Sequence, residues 1–201
     1  MNEAASHRVL VLGATGKTGS RVASKLSERG ISVRTAARTG AEAHFDWDDP
    51  ATFEPAVHGA SGVYVVSPVM RTDFAGVVSR FLDQAERAGV RHVTYLSAYG
   101  IEHAPAEVAL RAVELDLLSR TSLTHSIIRP AWFMQNFSET FLKPVSDEIV
   151  VPNGTGAEAF VSAEDIASVA AATLCRGADP AGAARLFRPG DRRGTASVSV
   201  Y

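Results

Sequence analysis

The run Gly13-Ala14-Thr15-Gly16-Lys17-Thr18-Gly19 follows the short apolar stretch Val9 to Leu12 and opens a segment with helical periodicity. Three glycines in that context suit a phosphate group. The first permits a tight turn, the second lets backbone approach a pyrophosphate, and the third allows close packing of the helix. The helix N-terminus then receives the negative charge. Gly16-Lys17-Thr18 looks at first like part of a GxxxxGK[ST] loop, but the spacing of that motif is not met, which disfavours ATPase or kinase chemistry. The expectation is a dinucleotide site built on Gly13, Ala14, Thr15, Gly16, Lys17, Thr18 and Gly19.

The end of the next strand discriminates between nicotinamide cofactors. An acid there would take a ribose 2′-hydroxyl, whereas this chain offers Arg34 and Arg38 and no acid before Glu42. An arginine fork suits a 2′-phosphate, and Lys17 adds a second positive charge, so NADP(H) is expected over NAD(H). The competing reading of Arg34 and Arg38 is plain surface charge. Two further segments are expected at the cofactor because ligands lie beyond the carboxyl ends of parallel strands: Asp46-Trp47, with Asp46 toward adenine or else capping the helix near Pro50, and Val66-Ser67-Pro68 toward the ribose and nicotinamide.

These residues need a frame to hold them. Strand-like runs at Val9 to Leu12, Ile31 to Ala36, Ala43 to Phe45, Val63 to Val66, Val90 to Ser97 and Leu123 to Ile128 alternate with helical patterns. The helices run from Gly16 to Arg29, Thr52 to Val57, Phe74 to Gly89 and Val108 to Leu118. That alternation predicts an α/β fold with a doubly wound, mostly parallel sheet covered on both faces. After Arg129-Pro130 the rhythm changes. Trp132 to Leu142 reads as a short amphipathic helix, and Pro144, Pro152, Asn153 and Gly154 as loops. Ser162 reads as the cap of a helix from Ala163 to Cys175, and Ala184 to Phe187 as a last strand. The tail from Gly190 to Tyr201 has too little apolar content to require a place in a core.

Composition sets bounds on partners. The 201 residues carry a formal charge of −2 with acids and bases interspersed, which predicts no nucleic-acid surface. No apolar run reaches membrane-spanning length, and nothing near the N-terminus reads as a signal segment. One cysteine, Cys175, excludes an intrachain disulfide and fits a reducing, cytoplasmic setting. No Cys/His spacing suggests a metal.

Taken together, the glycine loop with Ser20-Arg21, Tyr95-Leu96-Ser97-Ala98, the run Arg129 to Phe137 and the run Phe160 to Ala167 resemble atypical short-chain dehydrogenases of the NmrA-like type. They are most similar to the branch with festuclavine and agroclavine dehydrogenases and bacterial NAD(P)H quinone oxidoreductases. The resemblance spans about residues 8 to 188. It implies a Rossmann-type core over residues 1–130 and a small substrate lobe over 131–201, interleaved with the last helix and strand of the core. It further implies reduction of a small, flat, apolar acceptor: a quinone, cyclic imine or enone. By the same resemblance Trp132, Phe133, Met134, Asn136 and Phe137 wall the substrate pocket with Phe160 at its rim, although an apolar group of this density also suits ordinary core.

The chain lacks the Tyr-x-x-x-Lys pair of typical short-chain dehydrogenases. Ser97 holds the place of their serine, Tyr99 follows, and His103 stands where the lysine would be, so Ser97, Tyr99 and His103 form the candidate catalytic set. Tyr99 serves equally as a stacking surface for cofactor or substrate, and His103 as a solvated residue ahead of the helix. His125 reads as a structural histidine, Glu114 with Arg111 as an ion pair on a helix's exposed side, and Glu164 and Asp165 as first-turn acids. The absent tyrosine-lysine pair and a C-terminal region shorter than the family's also allow a different class of function, a redox-sensing regulator that binds NADP(H) without turnover. A homodimer through the helices from Phe74 and Val108 is compatible with the sequence.

Overall fold

The computed structural model describes residues 8–140, 142–146, 148–149, 158–178 and 196–200. Strands β1 (Arg8–Leu12), β2 (Ser32–Ala37), β3 (Ala43–His44), β4 (Gly62–Val66), β5 (His92–Leu96) and β6 (Thr124–Pro130) alternate with four helices. These are α1 (Gly19–Glu28), α2 (Phe53–Val57), α3 (Ala75–Arg87) and α4 (Ala109–Ser119). Beyond β6 come β7 (Trp132–Phe133), the one-turn α5 (Asn136–Glu139), β8 (Phe160–Val161), α6 (Ala163–Ala178) and β9 (Ala196–Val200). The main sheet is parallel throughout, in the order β3-β2-β1-β4-β5-β6-β9. That order reverses between β1 and β4, and the fold is the doubly wound Rossmann type.

The central strands β1 and β4 are apolar on both sides because the sheet is covered on both. Leu10, Leu12, Val63, Val65, Val93, Tyr95 and Ile127 point toward α2, α3 and α4, where they meet Phe53, Phe81, Leu82, Val113 and Leu117. Their neighbours Val9, Val11, Tyr64 and Ile128 point the other way, toward Val22 and Leu26 of α1 and Ile166, Ala170 and Leu174 of α6. Burying one such side chain contributes about 1.5–3 kcal/mol. Alanines at 167, 170 and 171 let α6 lie close against the sheet. Ser162 caps α6 as expected, its Oγ accepting from the Glu164 N–H at 3.1 Å.

Three parts of the chain differ from the sequence reading. Trp132 to Leu142 is not one amphipathic helix: Trp132 and Phe133 are extended and pair with Phe160 and Val161, and helix is confined to Asn136–Glu139. Within the tail after Gly190, Ala196–Val200 joins the sheet as β9 alongside β6. The helix near Pro50 is capped by Asp49, whose carboxylate accepts from the Ala51 N–H at 3.1 Å, and not by Asp46. The strand expected at Ala184 to Phe187 and the loop residues Pro152, Asn153 and Gly154 lie outside the described residues.

Two histidines are buried at adjacent positions of β5 and β6. His92 Nδ1 lies 2.9 Å from Thr124 Oγ1 and its Nε2 3.3 Å from Thr94 Oγ1. Both ring nitrogens of His125 are buried without a hydrogen bond. Burial, and then the neighbouring His125, hold His92 down at about 4, and burial lowers His125 as well. Above the ordinary value of 6.5 these rings are neutral in folded and unfolded chain alike. As pH falls from there toward 4, the unfolded chain takes up protons that the folded chain refuses, so stability drops through that window. His92 alone should lower the unfolding free energy by about 2 kcal/mol between pH 7 and pH 5. Urea unfolding at the two pH values should show this loss, and His92→Asn should shrink it; an unchanged loss in the variant would remove His92 as its source.

Candidate functional site

Because every strand of the main sheet is parallel, the carboxyl ends of β1, β2, β4, β5 and β6 all open on one edge. The glycine loop leaves β1 at that edge. Gly13 takes a φ of +62°, and a Cβ there would sit 2.7 Å from Val66 Cγ2. A Cβ on Gly19 would sit 2.2 Å from the Gly13 carbonyl oxygen, so α1 starts against backbone. Thr18 makes no side-chain cap and the first turn of α1 holds no acid, which leaves its N-terminal donors suited to an anion. Thr15 and Gly16 form the exposed crown of the loop. Val66, Ser67 and Pro68 flank the loop across the switch point, the crevice where doubly wound sheets take their ligands.

The other expected cofactor residues divide. Arg38 is exposed just past the end of β2, and a Cβ on nearby Gly40 would touch Thr15 at 3.5 Å, which places that turn beside the glycine loop. Arg34 turns away and donates to the His58 carbonyl at 3.0 Å. Lys17 reaches the segment after β7, with Nζ donating to Asn136 Oδ1 at 2.9 Å and to Thr140 Oγ1. Asp46 closes a local turn, accepting from the Asp48 N–H at 3.0 Å. Trp47 packs edge-on against Phe45, Phe53 and Phe81, with centroids 4.9–5.8 Å away.

Next to this crevice lies a buried ionic cluster. Glu114 of α4 is 0% exposed, which corrects its reading as half of a surface pair. Its Oε1 accepts from Ser97 Oγ at 2.6 Å and Arg129 Nε at 2.8 Å, and its Oε2 from Arg129 Nη2 and Arg111 Nη1, both at 2.9 Å. Burial pushes this carboxyl up, but the hydrogen bonds from Arg129, Ser97 and Arg111 outweigh it and hold Glu114 below the usual carboxylate range. Glu114 is therefore ionised, and Ser97 spends its proton on it. Alongside, Tyr95 and Ser67 share a hydrogen bond of 2.8 Å. Burial raises the Tyr95 phenol, the Ser67 bond partly offsets that, and Glu114 adds to the rise.

The candidate catalytic residues differ widely in exposure. Ser97 is buried against Glu114, Tyr99 is 57% exposed on the loop after β5, and the His103 side chain is 85% exposed, 4.0 Å from Glu102. The aromatic segment after β6 stands at the same edge of the sheet. Trp132 and Met134 alternate outward, whereas Phe133 packs on the core shared by α1 and α6. Phe137 and Phe160 meet with centroids 5.0 Å apart, and Asn136 is buried beneath them. Among the described residues no group of histidine, cysteine, aspartate or glutamate could hold a metal ion, and no helix is long and apolar enough to cross a membrane.

Residues 13–176 match the profile of the NAD(P)H-binding family. The chain belongs to this family. It is 34% identical over 176 residues to an uncharacterized oxidoreductase, YesF, of Bacillus subtilis, covering 83% of this chain and 60% of that protein. It is 33% identical over 183 residues to agroclavine dehydrogenase of Claviceps fusiformis, covering 83% and 62%. The chain thus spans about three fifths of the length of the curated relatives it matches. Its fold is shared with a nucleoside-diphosphate-sugar epimerase of Staphylococcus aureus at TM-score 0.71 and 18% identity, covering 96% of this chain and 70% of that one.

For an NAD(P)H-binding fold, the geometry adds residues that pattern reading missed. Glu114 and Arg129 form a buried polar centre beside the site, and the available signal was a charge directly after the apolar pair Ile127-Ile128. Lys17 and Asn136 were each visible, but nothing local linked them.

Two outcomes follow. Gly19→Ala forces a Cβ into the Gly13 carbonyl and pushes the start of α1 off the loop, so nicotinamide nucleotide affinity should fall at least about a hundredfold as the backbone donors leave their positions. Gly76→Ala, where a Cβ meets nothing within 4 Å, is the matched control and should bind normally. Glu114→Ala strands two arginines and should cost about 3–5 kcal/mol in urea unfolding; a loss under about 1 kcal/mol would mean that the carboxylate is solvated in solution.

Proposed function

We propose that this chain holds NADP(H) across the carboxyl ends of β1, β2 and β4 and passes hydride to a small, flat, apolar acceptor of the quinone, cyclic imine or enone class. On this reading residues from 131 onward supply the substrate side. The observation that carries it is the switch-point crevice, where Gly13 and Gly19 pack too closely against Val66 and the Gly13 carbonyl for any Cβ, so that the loop holds the start of α1, which has no side-chain cap, at the strand ends. The reduced nicotinamide supplies the hydride when bound. The protein's part is to bind and orient both partners.

Preference for NADP(H) is supported at the end of β2. Ala36-Ala37-Arg38 offers an exposed guanidinium and no carboxylate, and the nearest acid downstream, Glu42, is paired with Arg8. Trp132, Met134 and Tyr99, exposed at the strand ends, support an apolar acceptor. Relationship to a dehydrogenase supports turnover. One observation favours the second reading, a nucleotide-binding regulator: Ser97 donates its proton to Glu114, so it is not poised to protonate a product.

Titration with NADPH and NADH separately, followed by an acceptor while nicotinamide absorbance is watched, tests both readings. NADPH should bind at least about tenfold more tightly, and Arg38→Ala should remove most of that margin while leaving NADH affinity unchanged. Equal affinities would sink the NADP(H) preference. Tight binding with stable absorbance across quinone, imine and enone acceptors would favour the regulator.

A further inference from the structure

The glycine loop carries one cation, and that cation does not stay within the loop. Lys17 Nζ crosses to the far side of the chain, donating to Asn136 Oδ1 at 2.9 Å and to Thr140 Oγ1, across 119 and 123 residues of sequence. Asn136 is buried and is itself tied in, its Oδ1 also accepting from Thr140 Oγ1 at 3.1 Å and its carbonyl from the Leu142 N–H at 3.0 Å. Its neighbours anchor the aromatic wall. Gln135 accepts from the Ala163 N–H at 2.8 Å at the start of α6, and Phe137 packs on Phe160. A second cation, on the first turn of α1, reinforces the contact: Arg21 donates to the Lys17 carbonyl at 2.7 Å and pairs with Glu139 at 3.5 Å and Glu164 at 2.8 Å.

We propose that Lys17 is a positioning residue that couples nucleotide occupancy of the glycine loop to the order of the Asn136–Thr140 turn, and through Phe137 to the acceptor wall. The inference rests on the nucleotide site proposed above. The contacts of the Lys17 ammonium to Asn136 and Thr140 are to neutral oxygens, weaker acceptors than a phosphate oxygen. Burial lowers the Lys17 ammonium from its ordinary value, with Glu139 acting against that, so an anion arriving in the loop firms the charge in place. A lysine fixed by phosphate on one side fixes Asn136 on the other. The acceptor then meets a finished wall only when nucleotide is already bound, and by reciprocity the acceptor tightens nucleotide.

Amide hydrogen exchange tests the coupling without turnover. In the wild-type chain saturated with NADPH, exchange at Phe137, Glu139 and Leu142 should slow by about tenfold. In Lys17→Met, brought to saturation at higher NADPH, the glycine-loop amides Ala14 and Gly16 should remain protected while the slowing at Phe137, Glu139 and Leu142 disappears; Lys17→Arg should restore it. Asn136→Ala, which breaks the link from the other end, should lose the same distal slowing with NADPH affinity changed less than about threefold. This variant keeps the test decisive if Lys17→Met folds poorly. Distal slowing that persists in Lys17→Met or Asn136→Ala, or that never occurs in nucleotide-saturated wild type, overturns the coupling and leaves the nucleotide site standing. Wild-type chain that binds neither NADPH nor NADH removes the site and the coupling together.

Discussion

The contact between the backbone of Gly13 and the start of α1 at Gly19 is the constraint on which the rest of this structure depends. With a Cβ at 19 only 2.2 Å from the Gly13 oxygen, no other residue fits unless α1 moves off the sheet. That closeness lets Val22 and Leu26 reach Val9, Val11 and α6, and it leaves the uncapped end of α1 at the switch point. One steric requirement thus serves both the packing of a layer and the placement of backbone donors. The crossing of Val66 against Gly13 extends the same requirement to β4.

A second, polar constraint sits one strand over. Glu114 joins α4 to the ends of β5 and β6 through Ser97 and Arg129, and Arg111 closes the remaining side. A buried carboxylate with two arginines gains little net stability over a well-packed apolar substitute, so its presence is better explained by what it holds in place. It holds the strand-end loops bearing Ser97 and Trp132 in register with each other. Tyr95 and Ser67 add a polar contact toward β4, sharing a hydrogen bond of 2.8 Å.

How much of this was legible in the sequence depended on the range of the forces involved. The glycine loop is recognisable because its constraint acts between residues 13 and 19, and β1 and β4 because burial on both faces leaves a nearly unbroken apolar run. The tail after Gly190 is too poor in apolar residues to signal a strand, and the pairing of Ala196–Val200 with β6 is made by backbone hydrogen bonds that composition does not report. Trp132 to Leu142 reads as one helix because a short aromatic run has no decisive period, and the pairing of β7 with Phe160–Val161 is made only in three dimensions. Glu114 looked like an exposed pair because Arg111 three residues away satisfies a local rule. The stronger partner, Arg129, comes from a strand that local rules do not reach.

The same burial shapes the chemistry open to the site under the proposed reading. A serine at the end of β5 protonates a nascent oxyanion only if its hydrogen points at it, and here that hydrogen is committed to an ionised carboxylate with two arginines behind it. Reclaiming it would strand a lone pair of a buried Glu114, at a cost of about 1–3 kcal/mol. Ser97 therefore offers an incoming ligand oxygen lone pairs rather than a proton. Tyr99 and Met134, by contrast, are more than half exposed at the same strand ends, so water reaches the region where an acceptor would sit. Hydride transfer to an acceptor whose reduced form takes its proton from solvent needs only orientation and an apolar surface from the protein. An acceptor that must be protonated as it is reduced would need a donor that Ser97 does not provide.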